Sequence, residues 1–489
     1  MTDSNLIQTD IMDLLNISND PSIFVDHIDI ADDIKSIHIF RRPDPNFCPR
    51  CNCRMHSKGF YIRKVNHPVL QDTTRLFLII HQRKWYCPHC GLYLNDQFPF
   101  LERYAHSSNI TPLLVIDAMK DLNKSAAQVA RQFNMSDTQV HDLFNAYVDL
   151  PRLPLSEYIS IDEVFLNISD KDKYTFVIMD FINGDIIDMV HNRWMSTLED
   201  YFLSIPLEER KQVKGIICDA YQNYLKLPEK FFPNACLILD SFHVVKYIIS
   251  RLNTYLYRVL KRYQERDRKR LEKKNHDTNR DFQIIQDSRE VVLLKSYRWI
   301  LLKNRDEINY STKRYYHKRL GMNVDTFTIE KMFLDLDPNF KKLRDLKEEY
   351  IRFNQIEYEK TEDVQNALEN LISRYRDSDQ LIFYDFSRFL ESHKEMIIHS
   401  FTKLKVHRKT ETEEKEYYSR LSNGPMESFN RKPKDYKRNA RGFSDFHYTR
   451  NRILLSMRRN PAIRGIPRSR SEFKKNGTKR GCYNKTKLR

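Results

Sequence analysis

The chain has 489 residues, with 82 Lys+Arg against 66 Asp+Glu and a formal charge of +16. At roughly 100–200 residues per domain, that length suggests about three domains with room for real cores. Hydrophobic residues at 40% exclude a disordered chain, no apolar run approaches the ~18 residues of a membrane span, and eight Cys make no disulfide framework.

The first stretch, MTDSNLIQTDIMDLLN, is acidic and polar and does not read as a secretory signal. Residues 1–45 form a lead-in: a short helix, then the strand-like segments SIFVDHIDI and KSIHIF. A Cys-rich module covers 46–100, a polar helical stretch follows over 105–150, and Pro151 and Pro154 mark a linker. From 156 to 250 the texture becomes that of an α/β unit. EYISIDEVFL, KYTFVIMDF and DIIDMVH are followed by the helix TLEDYFLSI, the strand GIICDA and the strand CLILDSF. Asn183-Gly184 between two strands predicts a tight hairpin with both turn residues at positive φ. Residues 251–415 are helical, charged and nearly free of Gly and Pro, which predicts a helical bundle. No strand pattern resumes after it; 416–460 reads as helical again, and 461–489 as a basic, disordered tail.

Cys48-Pro-Arg-Cys51 and Cys87-Pro-His-Cys90-Gly91 are two C-x2-C knuckles separated by strand-like sequence. Two facing knuckles complete a tetrahedral sulfur cage, so Cys48, Cys51, Cys87 and Cys90 are candidate ligands of a structural Zn2+. Cys53, His56 and His89 are spare donors, which leaves the Cys51/Cys53 register open. The paired usage also fits a reducing cytosol.

KSAAQVARQFNMSDTQVHDLFNAYVD has the texture of a helix-turn-helix. Ala126, Ala127, Val129 and Ala130 give a small apolar face, and Asn134-Met135-Ser136 is the turn. Ser136 or Asp137 caps the second helix. Val140, Leu143 and Phe144 then face inward, leaving Thr138, Gln139, His141 and Asp142 exposed as possible base readers. Any αα-hairpin would share this pattern; the Cys module before it and the net charge favour DNA.

Asp162 follows YISI, Asp219 follows GIIC and Asp240 follows CLIL. A carboxylate after four apolar residues stands at the edge of a buried sheet, where it needs a partner, a helix to cap or a cation. A fourth acid, Glu427, lies in RLSNGPMESFNRKPKDYKRNARGFSDF, where Pro425 opens a helix. Around it Arg431, Lys434, Lys437, Arg438 and Arg441 could track a phosphate backbone, or simply pair with the acids. Acids without a nucleophilic Ser or Cys, on a basic chain, suggest phosphodiester chemistry assisted by Mg2+ or Mn2+.

The knuckles, the helix-turn-helix, ISIDE, CDAYQNYLK, FPNACLILDSFHVVK and SNGPMESFNRKPKDYKRNARGFSDFHYTRNRIL together resemble the bacterial ISL-three insertion-sequence transposases over about residues 45–460. The resemblance implies an α/β multidomain protein: a zinc ribbon and helix-turn-helix, then a ribonuclease-H-like catalytic domain interrupted by an all-α insertion. It makes Asp162, Asp219 and Glu427 the DDE triad and magnesium ligands, with His243 and Asp240 in support and Asp240 the alternative second ligand. The separations of 57 and 208 residues place the insertion before the Glu. It implies strand cleavage and 3′-OH strand transfer on double-stranded DNA at terminal inverted repeats and a target, by a dimer or larger assembly in a bacterial cytoplasm, associated with the nucleoid. Trp299 could correspond to an insertion Trp that stabilises a flipped base, or be a core aromatic. Pro433 departs from the family pattern and predicts a kink or an end of the helix near Arg431. The rival readings are a non-catalytic DNA-binding regulator and a metal-dependent nuclease without strand transfer.

Overall fold

The computed structural model describes residues 11–17, 20–44, 46–68, 75–103, 105–168, 173–278, 287–409, 413–440 and 445–473. The chain divides into two compact units, one of Met1–Arg152, Phe165–Lys173 and Arg431–Arg489, the other of Leu153–Val164 and Tyr174–Asn430.

The first unit opens with strands β1 (Ile23–Ala31), β2 (Ile34–Arg41), β3 (His56–Asn66), β4 (Arg75–Tyr86) and β5 (Tyr93–Asn95). They form one sheet in the order β1-β2-β4-β3, with β5 on β4. β4 alternates from Arg75 to Arg83, burying Leu76, Leu78 and Ile80, and these meet Ile37, Ile39 and Val65 in one core. That period of two is the pleat of a strand with one covered face. The lead-in strands therefore share a sheet with the Cys-rich segment, through a parallel β2–β4 pairing that no local signal announces. Helices α1 (Thr111–Met119), α2 (Ala126–Gln132) and α3 (Asp137–Tyr147) follow.

The second unit is built on β6 (Tyr158–Phe165), β7 (Tyr174–Asp180), β8 (Ile186–Val190), helix α4 (Met195–Leu203), α5 (Leu207–Arg210), β9 (Gly215–Cys218), α6 (Gln222–Leu225), α7 (Leu227–Phe231) and β10 (Cys236–Leu239). Its sheet runs β10-β9-β6-β7-β8, so the first strand lies in the middle. β10 is parallel to β9 and β9 to β6, whereas β7 and β8 are antiparallel. β9, between β10 and β6, is wholly buried and reads as a continuous apolar run, as a strand covered on both faces does, and the edge strand β8 is buried along its whole length as well.

The helical block begins with α8 (Ser241–Thr278) and continues through α9 (Arg289–Ser296), α10 (Trp299–Leu302), α11 (Thr326–Leu334), α12 (Phe340–Gln355), α13 (Thr361–Arg376), α14 (Leu381–Ser392) and α15 (Lys394–His399). α8 buries Val244, Ile248, Leu252, Leu256, Val259 and Leu260, a stripe at spacings of three and four, while its other faces are charged. Each such fully buried side chain contributes about 1.5–3 kcal/mol, so this stripe, more than helix propensity, sets the helix in place. Trp299 opens α10, partly buried against the same core.

Four expectations are corrected. The hairpin between β7 and β8 has only Gly184 at positive φ; Asn183 does not share it. The loop is longer than two residues: Gly184 N–H donates to Asp180 O, and the Asp180 carboxylate accepts from the N–H groups of Ile182 and Asn183. Strands also resume after the helical block, where β13 (Lys403–Lys409) pairs with β14 (Glu414–Arg420); a smaller hairpin, β11 (Tyr315–His317) and β12 (Met322–Val324), lies inside it. Val406 is the β13 side chain that enters the core, beside Phe181, Ile217 and Ile238. The rest of the hairpin carries charge, with Lys405 and His407 both paired to Glu416, which hid the strand period.

Of the two outcomes expected at Pro433, an end of the helix is the one corrected: α16 (Gly424–Ala440) runs on past Arg431 and through Pro433. Met426, Phe429, Asn430, Pro433 and Tyr436 form one buried stripe. The interior Pro costs about 3 kcal/mol, which the burial of Met, Phe and Tyr on the same stripe outweighs at roughly 1.5–3 kcal/mol each. The expected disordered tail is ordered as far as Phe473 beyond α17 (Phe446–Met457), ending in the single turn α18 (Arg470–Phe473). Arg464 and Arg468 N–H groups donate to Tyr147 O and Ala146 O, the Arg468 guanidinium reaches Asn145 O and Asp149, and Arg470 pairs with Asp142. These bonds satisfy carbonyls that the end of α3 leaves without helical partners.

Candidate functional site

The sheet register of the second unit brings three aspartates together. Ser160 lies opposite Ile217 and Cys218 opposite Leu239, so continuing each register sets Asp162, Asp219 and Asp240 side by side at the same end of three adjacent parallel strands. Loops at the carboxyl ends of parallel strands are where α/β sheets gather their chemistry. Asp219 Oδ1 accepts from Tyr221 N–H at 3.0 Å, which turns the chain into α6. Asp240 is buried; its Oδ1 accepts from Asn423 N–H at 3.2 Å, and its Oδ2 lies 3.9 Å from His243 Nε2 on the first turn of α8.

Glu427 is exposed in the first turn of α16. One turn on, Asn430 Nδ2 donates to Asp162 Oδ2 at 2.8 Å, and Asn423 Nδ2 donates to Ile161 O at 3.0 Å. The helix carrying Glu427 is thereby fastened to the strand carrying Asp162. Burial pushes the Asp162 carboxyl up to about 6, with Glu163 and Asp219 adding to the rise and His243 opposing it. Burial likewise pushes Asp240 up, with Glu427 adding to it, while the Asn423 N–H and His243 hold it back. These mutual influences place Asp162, Asp219, Asp240, His243 and Glu427 in one electrostatic neighbourhood. The acids do not close into a tight cage: among the described residues, the groups of ligand atoms within 4.8 Å of one another lie elsewhere.

Whether this pocket of acids suits a hard cation follows from its donors. Asn423 Oδ1 and Asn430 Oδ1 are buried without a hydrogen-bond donor, on the residues whose other groups bond Asp240 and Asp162. An oxygen-rich, donor-poor environment is what Mg2+ or Mn2+ prefers. Beneath the site, Glu163 accepts from Arg193 and from the Tyr224 hydroxyl, and Arg193 packs over the Tyr174 and Tyr221 rings. Burial first, then Glu163, drives the Tyr224 phenol far above its ordinary range, so it stays a donor. The sequence sets Asn430 on the surface of Glu427 and Asn423 in the turn before its helix, but not their bonds to Asp162, Ile161 and Asp240, nor this Glu163 network.

In the first unit the Sγ atoms of Cys48, Cys51, Cys87 and Cys90 lie within 4.8 Å of one another. The two knuckles match: Asn52 N–H donates to Cys48 O and Gly91 N–H to Cys87 O, with Asn52 and Gly91 both at positive φ. Gly takes that conformation freely and Asn tolerates it. Cys53 O accepts from Cys48 N–H as Leu92 O does from Cys87 N–H, so Cys53 stands at the counterpart of a non-ligand position. Burial raises the Cys48 thiol, but the N–H groups of Arg50 and Cys51 outweigh it and hold it at about 6. Thiolates stabilised by backbone N–H groups are the donors that Zn2+ takes.

α2 and α3 each open with a complete capping box, Ser125 with Gln128 and Ser136 with Gln139. Asn134 turns the chain between them at positive φ, and Asn66 Nδ2 donates to Phe133 O. Thr138 and Gln139 are exposed. His141 and Asp142 are not: the His141 ring packs 4.6 Å from Tyr448, where burial lowers its pKa, and Asp142 pairs with Arg470. Of the bases after Glu427, Arg431, Lys434 and Arg438 are exposed on α16, with Arg438 paired to Asp435. Lys437 is half-buried, its ammonium 3.8 Å over the Phe165 ring. Arg441 lies outside the described residues. Among the described residues, no helix is long and apolar enough to cross a membrane.

Comparison with known proteins bears on the segment that carries the acids. The chain is similar over 304 residues, at 25% identity, to the transposase for insertion sequence element IS1001 of Bordetella parapertussis, covering 60% of this chain and 68% of that protein. A family model of ISL3-type DDE transposases, described as Transposase, matches residues 159–453, which span Asp162, Asp219, Asp240 and Glu427. The chain belongs to the ISL3 family of DDE transposases.

Proposed function

We propose that this transposase cleaves DNA at the terminal inverted repeats of its element and joins the freed 3′-OH to target DNA at Asp162, Asp219 and Glu427. The observation that carries the reading is the shared register of Asp162, Asp219 and Asp240, with the Glu427 helix fastened to Asp162 through Asn430. The strand order, with the first strand central between β9 and β7 and parallel to β9, supports a ribonuclease-H-like core. Mg2+ or Mn2+ held by these acids would supply charge stabilisation of the pentavalent phosphorus transition state and acidify the attacking oxygen. Asp240 and His243 then act in support: the imidazole, 3.9 Å from Asp240 and half-buried, is placed to donate to a phosphate oxygen.

In hydrolysis water adds at phosphorus, one P–O bond to the 3′ oxygen breaks, and that oxygen leaves with a proton. In strand transfer the same 3′-OH loses its proton and adds at a target phosphorus, the target's own P–O bond to its 3′ oxygen breaks, and that oxygen leaves with a proton. The zinc ribbon on Cys48, Cys51, Cys87 and Cys90 and the helix-turn-helix of α2 and α3 would recognise the repeats. The exposed Thr138 and Gln139 would meet bases and the exposed Arg431, Lys434 and Arg438 the phosphate backbone, with Lys437 and Arg441 proposed beside them on the sequence alone. Catalysis on two ends calls for at least a dimer in the synaptic complex, in the bacterial cytoplasm at the nucleoid.

The test supplies terminal-repeat DNA with Mg2+ to the wild type, Asp162→Asn and Glu427→Gln. Cleavage and joined product are expected from the wild type alone. Undiminished cleavage in both variants overturns the site; cleavage without joining reduces the reading to a nuclease; binding without cleavage favours a regulator.

A further inference from the structure

The outer sheet of the first unit carries a second group of metal-ligating side chains that the transposition chemistry does not use. His27 on β1 and His38 on β2 are direct cross-strand partners, with rings stacked at 4.0 Å. Asp29, two residues along β1, is on the same face, and its Oδ2 lies 3.2 Å from His38 Nε2 and 3.7 Å from His27 Nε2. Ligand atoms of the three all fall within 4.8 Å of one another.

The opposite edges of both imidazoles are already held. His27 Nδ1 lies 2.8 Å from Asp26 Oδ2, and His38 Nδ1 lies 3.0 Å from His81 Nε2 on β4. Consecutive side chains of a regular strand point to opposite faces, so Asp26 could not ordinarily reach His27. The register slips between Val25 and His27, and this bulge at Asp26 brings both side chains to one place. His81 is itself fixed by stacking on Phe40 at 3.9 Å, and His38 is only 17% exposed.

We propose that His27, Asp29 and His38 bind one divalent transition ion, through His27 Nε2, His38 Nε2 and an Asp29 carboxylate oxygen, with Asp26 and His81 as positioning residues. Two imidazoles and one carboxylate suit Zn2+, Ni2+ or Cu2+ over Mg2+. The Asp26 carboxylate on His27 Nδ1 can only accept, which favours the tautomer that leaves Nε2 free, and His81 Nε2 can accept from His38 Nδ1 in the same way once the ion is bound, the arrangement that raises metal affinity. The two nearby carboxylates also offset the charge of the cation. Bound there, the ion ties the edge strand β1 to β2.

The experiment titrates Ni2+ by calorimetry into the full-length protein, loaded with Zn2+ and dialysed against citrate so that the thiols are occupied. One Ni2+ per chain is expected for the wild type and for Asp162→Asn. His27→Gln and His38→Gln should each bind at least about tenfold more weakly, and Asp26→Asn about tenfold more weakly at unchanged stoichiometry. Ni2+ should raise the melting temperature of the wild type and not that of His38→Gln, whose metal-free melting curve reports its fold. The proposal is overturned if the folded His27→Gln and His38→Gln variants bind Ni2+ like the wild type. It is equally overturned if the binding is lost in Asp162→Asn, which would assign the ion to the catalytic acids.

Discussion

Asn430 donates its side-chain amide to Asp162 Oδ2 at 2.8 Å across 268 residues of sequence, and so joins the helix of Glu427 to the central strand of the sheet. A hydrogen bond to a charged group is worth about 1.5–3 kcal/mol, and here it also opposes the burial that raises Asp162. Asn430→Ala should therefore lower stability by about 1–3 kcal/mol and shift the acid limb of the cleavage profile to higher pH. Asn430→Asp, which sets a second carboxylate against Asp162, should move that limb further. Denaturant unfolding and a pH series of strand cleavage check both; an unmoved limb in each variant removes Asn430 from the site.

Asp162 gives a signed pH dependence. Its folded pKa of about 6 exceeds the ordinary 3.8, so the folded state holds this proton more tightly than the unfolded chain does. Raising the pH from about 4 through 6 therefore costs stability, and above 6 the cost is fully present. Asp162→Asn keeps an oxygen for Asn430 but never carries the charge. It should be more stable than the wild type by about 1–3 kcal/mol at pH 8, and no more stable below pH 4. At the same time it should abolish cleavage. Thermal melts at the two pH values decide the sign.

The order of motifs was legible in the sequence because each rests on local chemistry. A C-x2-C knuckle turns on itself, and a strand-terminal Asp follows its own apolar run. What was not legible came from pairings distant in sequence. Nothing near Asn423 or Asn430 announces that they will meet Ile161 and Asp162, and β2 and β4 pair in parallel across the whole first knuckle. The β13–β14 hairpin escaped because its exposed faces carry charge where a half-buried strand would alternate. His141 looked exposed by helical period alone, until Tyr448, some 300 residues on, covered it.

The capping box of α3 restricts what Gln139 can read. Its Oε1 accepts from Ser136 N–H at 2.9 Å, leaving the NH2 group alone for DNA. Bidentate recognition of adenine needs both the oxygen and the nitrogen of an amide, so Gln139 in this state can only donate, to an acceptor such as guanine O6 or N7. Gln139→Glu keeps the cap but loses the donor, and should weaken repeat binding by about 1–3 kcal/mol without lowering the melting temperature. Ser136→Ala should do the reverse first, costing about 1 kcal/mol of stability. Gel-shift titrations beside thermal melts separate the two.

The knuckles predict a zinc-dependent first unit. The cluster core is small, with Met55 and Trp85 packed around the thiols, and cannot hold four thiolates together on apolar contact alone. Zinc removal by a strong chelator, or Cys51→Ser, should lower the melting temperature and abolish repeat binding, and added Zn2+ should restore only the chelated wild type. Metal analysis should find one zinc bound by the four thiols in the protein as isolated. Four freely titrating thiols in a folded, DNA-binding protein would overturn this assignment.

Pro433 offers the sharpest separation between helix chemistry and packing. It lies on the buried stripe of α16, where it removes the N–H that would bond to Phe429 O. Pro433→Ala restores that donor and removes the ring clash with the preceding turn, but gives up part of the apolar contact. The helical gain is as much as about 3 kcal/mol, and the lost burial about 1–2 kcal/mol. The variant should therefore be more stable by about 1 kcal/mol or slightly more, with Arg431, Lys434 and Arg438 still on the exposed face. Its affinity for non-specific duplex DNA, and the salt dependence of that affinity, should match the wild type, because both count the same phosphate contacts. Loss of stability in Pro433→Ala would mean that the Pro ring fits its packing so closely that the missing hydrogen bond is more than offset.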